Sequence, residues 1–533
     1  MTAAARIGLG AALVAALALA SAAASAGQAA AQSMDATRFF IDKDDDTDDD
    51  ETLLQGALTV SSFFFREAGD PGDPGQPGGV APESASPFSR LFTDLRAQLD
   101  ARHVKGGRWD VRVDGRLRIA NDADDRQVGT QDNRLQSGLF GGREYEVKEL
   151  YAVRGGKRAD LFVGRQVVAD IAATRIDGVR IDYARSRRWT LLGFAGLYPR
   201  RGSRSIDTDY PAALDRMGAP TGGRVLPIAG GAGAAYRTSR SYGAIGGGAI
   251  AVKGERPRVF VSGSGYWRQG PRLDVWHYLV VDLYGSGGFA LTNASAGLQW
   301  KPQPRLRFSL AAHRVDTEAL SLQIRDQLET VDAGGLVINN LKAQRIEADA
   351  VRASLSGSLG RRNRYELTVG LAGRRRPAVE LTPNVGLPAS QSLDITVAAV
   401  DRHFYGGLRM DLAVTRAVGV GQASYARSNV LIARLGASRS WRDGRIEAQG
   451  ELAYLSSADD NAGMSCDPGD PATCYGSATT GTLQASGVVY WRLADAWFAN
   501  ASLGYGRQAI TLAAGAQPTI TSTTGFLRVG YRF

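Results

Sequence analysis

The last nine residues, Gly525-Phe526-Leu527-Arg528-Val529-Gly530-Tyr531-Arg532-Phe533, put small or apolar groups at 525, 527, 529, 531 and 533, set Arg528 and Arg532 between them, and stop on an aromatic side chain. A β-strand turns successive side chains to opposite faces, so this segment has one greasy face and one cationic face. A strand with lipid on one side and water on the other needs that division. The pattern predicts the closing strand of a bacterial outer-membrane β-barrel, with Val529, Tyr531 and Phe533 as the assembly signal read by the barrel-assembly machinery.

The other end of the chain agrees. Arg6 precedes an Ala/Leu/Val-rich run from Ile7 to Ala20, and small residues continue to Ala31, the pattern of a secretory signal peptide over residues 1–31. Cleavage is expected after Ala31, with Ala26 as the alternative, and no Cys follows either point to accept lipid. The apolar core falls short of the ~20 residues that a spanning helix needs. With a mean hydropathy of -0.18 and no other long apolar run, the chain can cross lipid only as a closed barrel, in which every backbone N–H and C=O finds a partner.

Strand-period alternation runs through residues 52–533, which read as a single domain. Leu91, Leu95, Ala97, Leu99 and Ala101 oppose Asp94, Arg96, Gln98, Asp100 and Arg102; past Lys105-Gly106-Gly107, Trp109, Val111, Val113, Leu117 and Ile119 oppose Asp110, Arg112, Asp114, Arg116 and Arg118. Comparable ladders cover Arg445 to Tyr454 and His403 to Thr415. Short turns are expected at Gly155 to Lys157, Arg185 to Arg188, Gly360 to Asn363, Arg442 to Arg445 and Ala494 to Ala496. Long loops are expected at Arg66 to Pro87, Asn121 to Gly142, Pro199 to Arg224, Val315 to Ala343, Arg376 to Ser390 and Ser457 to Thr480. The two classes mark periplasmic and extracellular rims. The fold class is all-β, a single large antiparallel transmembrane barrel of 18–20 strands; between Asp401 and Trp441 the pattern fits two strands or three.

Residues 32–51 form an acidic tail. Asp42 to Glu51 begins with the D-x-D-x-D spacing of a calcium loop, but Thr47 replaces the glycine and Leu53 the closing glutamate, so a solvated, disordered segment is expected and no metal or cofactor is assigned. A tail that docks into a basic lumen is the alternative. Cys466 and Cys474, in a loop of an oxidising compartment, are expected to form one disulfide.

The whole chain carries +9; setting aside +1 for the signal segment and -7 for the acidic tail leaves +15 on residues 52–533. Alternation directs much of the arginine inward, with Arg96, Arg112, Arg116, Arg118, Arg409 and Arg528 as pore-lining candidates. A cation-lined lumen focuses anions, although some of these residues can brace the wall with carboxylates or meet lipopolysaccharide phosphates at the rim.

At Glu149-Leu150-Tyr151, Leu161-Phe162-Val163-Gly164-Arg165-Gln166 and Arg175-Ile176-Asp177-Gly178-Val179-Arg180, the chain resembles alginate-export-type outer-membrane barrels and the porin superfamily around them. The resemblance covers about forty residues. It implies a monomeric barrel of about eighteen strands passing an anionic polysaccharide or small anionic solute, with Arg165 and Arg180 in the lumen. An ordinary strand end beside a bulge at Gly164 is the alternative.

His103, His277, His313 and His403 stand in no nucleophile motif, and no phosphate loop, dinucleotide fingerprint or metal-ligand spacing occurs, so no catalysis is expected. The compartment argues against nucleic acid as the partner of the basic charge. Three functions remain: a diffusion or export channel for anionic solutes, the barrel of a polysaccharide export apparatus with a periplasmic partner, or a closed surface barrel used in adhesion.

Overall fold

The computed structural model describes residues 52–69, 88–120, 144–199, 209–210, 212–214, 220–253, 257–283, 289–316, 330–331, 337–338, 347–377, 379–382, 385–387, 389–420, 427–460, 477–512, 515–516 and 519–533. The signal segment, the acidic tail and the two cysteines lie outside them.

A closed sheet of 22 antiparallel strands makes the barrel. In chain order they are β1 (Leu53–Gly69), β2 (Phe88–Arg102), β3 (Trp109–Ala120), β4 (Glu144–Arg154), β5 (Ala159–Val168), β6 (Thr174–Ala184) and β7 (Trp189–Leu197). Then come β8 (Ile228–Arg237), β9 (Ser241–Ala251), β10 (Arg258–Gln269), β11 (Leu273–Asp282), β12 (Ala290–Gln303), β13 (Leu306–Asp316), β14 (Glu347–Leu359) and β15 (Tyr365–Arg376). The last are β16 (Ser390–Tyr405), β17 (Leu408–Gly419), β18 (Arg427–Trp441), β19 (Ile446–Asp460), β20 (Ser477–Arg492), β21 (Trp497–Leu512) and β22 (Ile520–Arg532). Each strand pairs with its sequence neighbours, and β22 returns to β1 from Ala57↔Arg532 to Gly69↔Ile520. At this seam Gly56 and Phe533 exchange backbone hydrogen bonds of 2.9 and 3.2 Å.

The 22 strands replace the expected 18–20. Three strands, not two, fill Asp401 to Trp441, because Gly406-Gly407 makes a tight turn between β16 and β17. Six further strands, β8 to β13, occupy a stretch in which no short turn was expected. There β8 and β9 read Ile-Ala-Gly-Gly-Ala-Gly-Ala-Ala and Gly-Ala-Ile-Gly-Gly-Gly-Ala, and glycine, having no side chain, erases the alternation. The connections of the two rims segregate as expected. All five expected short turns join strands at the rim that holds Leu53 and Phe533, and all six long loops fall at the other. Bacterial barrels keep the short turns periplasmic.

Outward residues are exposed along the wall, among them Leu95, Leu117, Leu150, Val369, Leu371, Leu412, Leu452 and Leu503, and form the lipid face. Seven of the eight tryptophans, Trp109, Trp189, Trp267, Trp300, Trp441, Trp491 and Trp497, gather on that face at the short-turn rim, 39% to 49% exposed. An amphipathic ring system prefers the level where hydrocarbon meets headgroups, so these residues mark one membrane interface. The molecule is a bacterial outer-membrane β-barrel.

Candidate functional site

The lumen of so wide a barrel cannot be filled by wall side chains alone. Part of its space is taken by the tip of the β5–β6 hairpin. Pairing of β5 with β4 ends at Leu150↔Arg165 and pairing of β6 with β7 ends at Asp177↔Leu197, so residues 166–176 pair only with each other, through Gln166↔Ile176, Val167↔Arg175 and Val168↔Thr174. Glycines stand at both departure points. Gly164 takes a positive φ of 126°, and a Cβ on Gly164 or Gly178 would collide with the carbonyl of Leu150 or Ala195.

The freed tip lies against the inner face of β7 to β11. Ile171 is fully buried, and its side chain covers Gly233 and Gly246 so closely that a Cβ on Gly246 would sit 2.7 Å from Ile171 Cγ1. Ile228 and Ile245, on the opposite face of the same two strands, are exposed to lipid, which places Ile171 on the lumen side. Val168, Ile171 and Ile176 pack there with Leu192, Phe194, Ala229, Ala235, Ala244, Ile250 and Phe260. The glycine rows that hid β8 and β9 thus form a trough, and the trough receives the hairpin.

Two polar clamps hold the tip. In the first, Asp170 accepts a hydrogen bond from the Tyr242 hydroxyl and one of 2.9 Å from Arg180 Nη2, while Arg180 also reaches Asp182 at 2.7 Å. In the second, Arg165 bridges Asp177 at 2.5 Å, the Val147 carbonyl at 3.1 Å and Asp209 at 2.7 Å, and Tyr210 donates to Asp177 at 2.5 Å. Asp209 and Tyr210 belong to the loop after β7, so this clamp ties β4, β6 and that loop together. Burial, and then the bond to Asp177, push the Tyr210 phenol above its ordinary pKa, which keeps it a donor. Arg165→Met would leave buried Asp209 and half-buried Asp177 without their cation, a loss of about 3–5 kcal/mol. The expected outcome is faster proteolysis at the loop after β7 and added open-channel noise, read by limited digestion and single-channel recording.

Six of the eight pore-lining candidates engage carboxylates. Arg96 binds Asp114 through two bonds, 2.9 and 2.7 Å; Arg118 binds Asp94 at 2.8 Å; Arg116 lies 2.8 Å from Glu146; Arg112 lies 2.7 Å from Glu149. Arg165 and Arg180 belong to the clamps. Arg409 lies on the inner face of β17 with no ion pair among the described residues, and Arg528 lies over the Phe526 ring at 5.1 Å.

The positive charge is concentrated elsewhere. The ten short turns hold Arg185, Arg187 and Arg188 in one, Arg361, Arg362 and Arg364 in another, pairs Lys105/Arg108, Lys157/Arg158 and Arg442/Arg445 in three more, and Arg240, Arg272 and Arg305 singly. The turns themselves hold only two acidic residues, Asp443 and Asp495, a net +13 of the +15 on residues 52–533, and Arg364 is further paired with Asp401 on β16 at 2.8 Å. Runs such as Arg185-Ser-Arg-Arg188 and Arg361-Arg-Asn-Arg364 were visible as turns that loop length assigns to one rim, and strand parity places them there.

No family model matches the chain, and a search of curated proteins found no relative. Among solved structures, the chain is similar to Pseudomonas aeruginosa OccD3 (OpdP), with 10% identity and a TM-score of 0.39 over 90% of this chain and 91% of that one. Acinetobacter baumannii OccAB4 gives 8% and 0.39 over 91% and 100%. A structure described as a bacterial polysaccharide outer membrane secretin gives 11% and 0.31 over 58% and 92%.

Proposed function

We propose that the barrel is a channel for anionic solutes, with the cationic turn rim as the element that selects them and the inward hairpin as the constriction. The ring of fifteen turn cations, answered by Asp443 and Asp495 in the turns and by Asp401 at Arg364, carries this reading. A charged mouth bounded by low-dielectric walls raises the local concentration of counter-charged solute, and does so even where arginines deeper in the pore are paired. Arg409 and Arg528 extend the same sign inward.

The test is the reversal potential of the protein in a planar bilayer across a KCl gradient. Chloride preference is expected. Replacing Arg185, Arg187, Arg188, Arg361, Arg362 and Arg364 by Gln should move the reversal potential toward zero, with a larger change at low salt, where screening is weak. Unchanged selectivity in that variant would overturn the assignment to the turn rim, and a folded barrel without conductance would favour a closed surface barrel instead.

A second reading, the barrel of a polysaccharide export apparatus, is favoured by the side on which the cations lie. A polyanion leaving the periplasm meets them first, and the Gly164-Arg165-Gln166 and Asp177-Gly178 motifs resemble alginate-export barrels. Block of the chloride current by an anionic polysaccharide added only to the turn side would support export; equal block from both sides would count against it.

A further inference from the structure

Among the described residues, five arginines face lipid at the loop-side end of the wall: Arg66 on β1, Arg314 on β13, Arg375 on β15, Arg416 on β17 and Arg507 on β21. Alternation fixes the face. Arg507 shares it with Leu503 and Tyr505, Arg416 with Leu412 and Val414, Arg375 with Val369 and Leu371, and Arg66 with Leu58 and Val60, all of them exposed. Their height is equally regular. Arg375 follows Tyr365, and Arg507 follows the girdle residue Trp497, by ten residues within one strand. At ~3.3 Å per residue and a tilt near 40°, that is about 25 Å along the barrel axis, the height of the hydrocarbon band of an outer-membrane barrel. The aromatic girdle marks one edge of the slab and the arginines mark the other.

A guanidinium beside hydrocarbon needs a counter-charge at the interface. Arg314 has one on the wall, with Glu347 at 2.6 Å and Asp349 at 3.1 Å. Arg66 and Arg507 have no acidic partner among the described residues, and they flank one strand. Arg66 stands opposite Thr523 and Arg507 opposite Thr521, both on β22. Two strand spacings and a two-residue offset separate their backbones by about 12 Å, close enough for two long side chains to converge on one anion.

We propose that Arg66 and Arg507 bind a phosphate group of the phosphorylated glycolipid of the outer leaflet, across the seam between the first and last strands. Guanidinium groups match phosphate oxygens in geometry and charge, and the site lies at the level where the glycolipid carries its phosphates. This site is independent of conduction through the lumen.

Native mass spectrometry of the refolded barrel titrated with lipid A tests it. Arg66→Gln with Arg507→Gln is expected to weaken lipid A binding by about tenfold or more, while Arg154→Gln with Arg439→Gln, at the girdle end, leaves it unchanged. Parent-like binding by the first pair would overturn the site. If that variant fails to fold, the unaltered protein still decides the matter: lipid A stripped of its phosphates should bind far more weakly. Equal binding of dephosphorylated lipid A, or of phosphatidylglycerol, would refute recognition of the glycolipid phosphate.

Discussion

Ile171→Asp is expected to raise the single-channel conductance and to add transitions between two open levels. Ile171 is fully buried in the trough, and burial of such a side chain contributes about 1.5–3 kcal/mol. Placing a carboxylate there also strands a charge in an apolar cluster beside Asp170. A combined loss above about 3 kcal/mol lowers the docked population relative to the undocked one by more than about a hundredfold. Wall pairing does not involve residues 169–173, so the barrel itself should keep its thermal stability. Gly246→Val attacks the same contact from the wall, since its Cβ would sit 2.7 Å from Ile171 Cγ1. Recordings of both variants that match the parent would show that the hairpin does not limit the current.

Removal of Phe533 is expected to abolish most assembly into the membrane. Phe533 donates to and accepts from the backbone of Gly56, its ring covers Gly56 with Cζ 2.6 Å from where a Cβ would lie, and it stacks on Tyr531 at 6.0 Å. Tyr531 in turn packs on Trp497 at 5.0 Å, so the last residue joins three strands at the girdle. The fraction of heat-modifiable folded protein in outer membranes measures the effect. Normal insertion of the truncated chain would remove Phe533 from the closure of the seam.

Most of the wall was legible because two-residue alternation survives wherever side chains differ in polarity. β2, β3 and β19 show it without ambiguity, and loop length sorted the two rims. Counting failed where glycine removed the signal, in β8 and β9, and where turns shrank to two or three residues, as at Pro304-Arg305 and Gly406-Gly407. The hairpin was invisible for a different reason. Leaving the wall changes which strands a segment pairs with, and β5 and β6 keep strand-like sequences throughout. Arg165 and Arg180 were singled out by the resemblance of their motifs, whereas their partners Asp170 and Asp209 come from a turn and a loop that only the tertiary fold brings to them. The charge excess left a choice open: alternation shows that inner faces carry arginine and allows carboxylates to brace it, but not which arginines are answered by carboxylates on neighbouring strands.

The pairing order of the barrel also sets a timetable. Of its 22 strand pairings, all but one join consecutive barrel strands and can form as each hairpin emerges. The exception, β1 with β22, must close a loop of nearly the entire chain, an entropic cost of about 5 kcal/mol that no partial barrel can recover. Until that step, both terminal strands present unpaired edges to lipid, and a chain that stalls there is a template for its own neighbours.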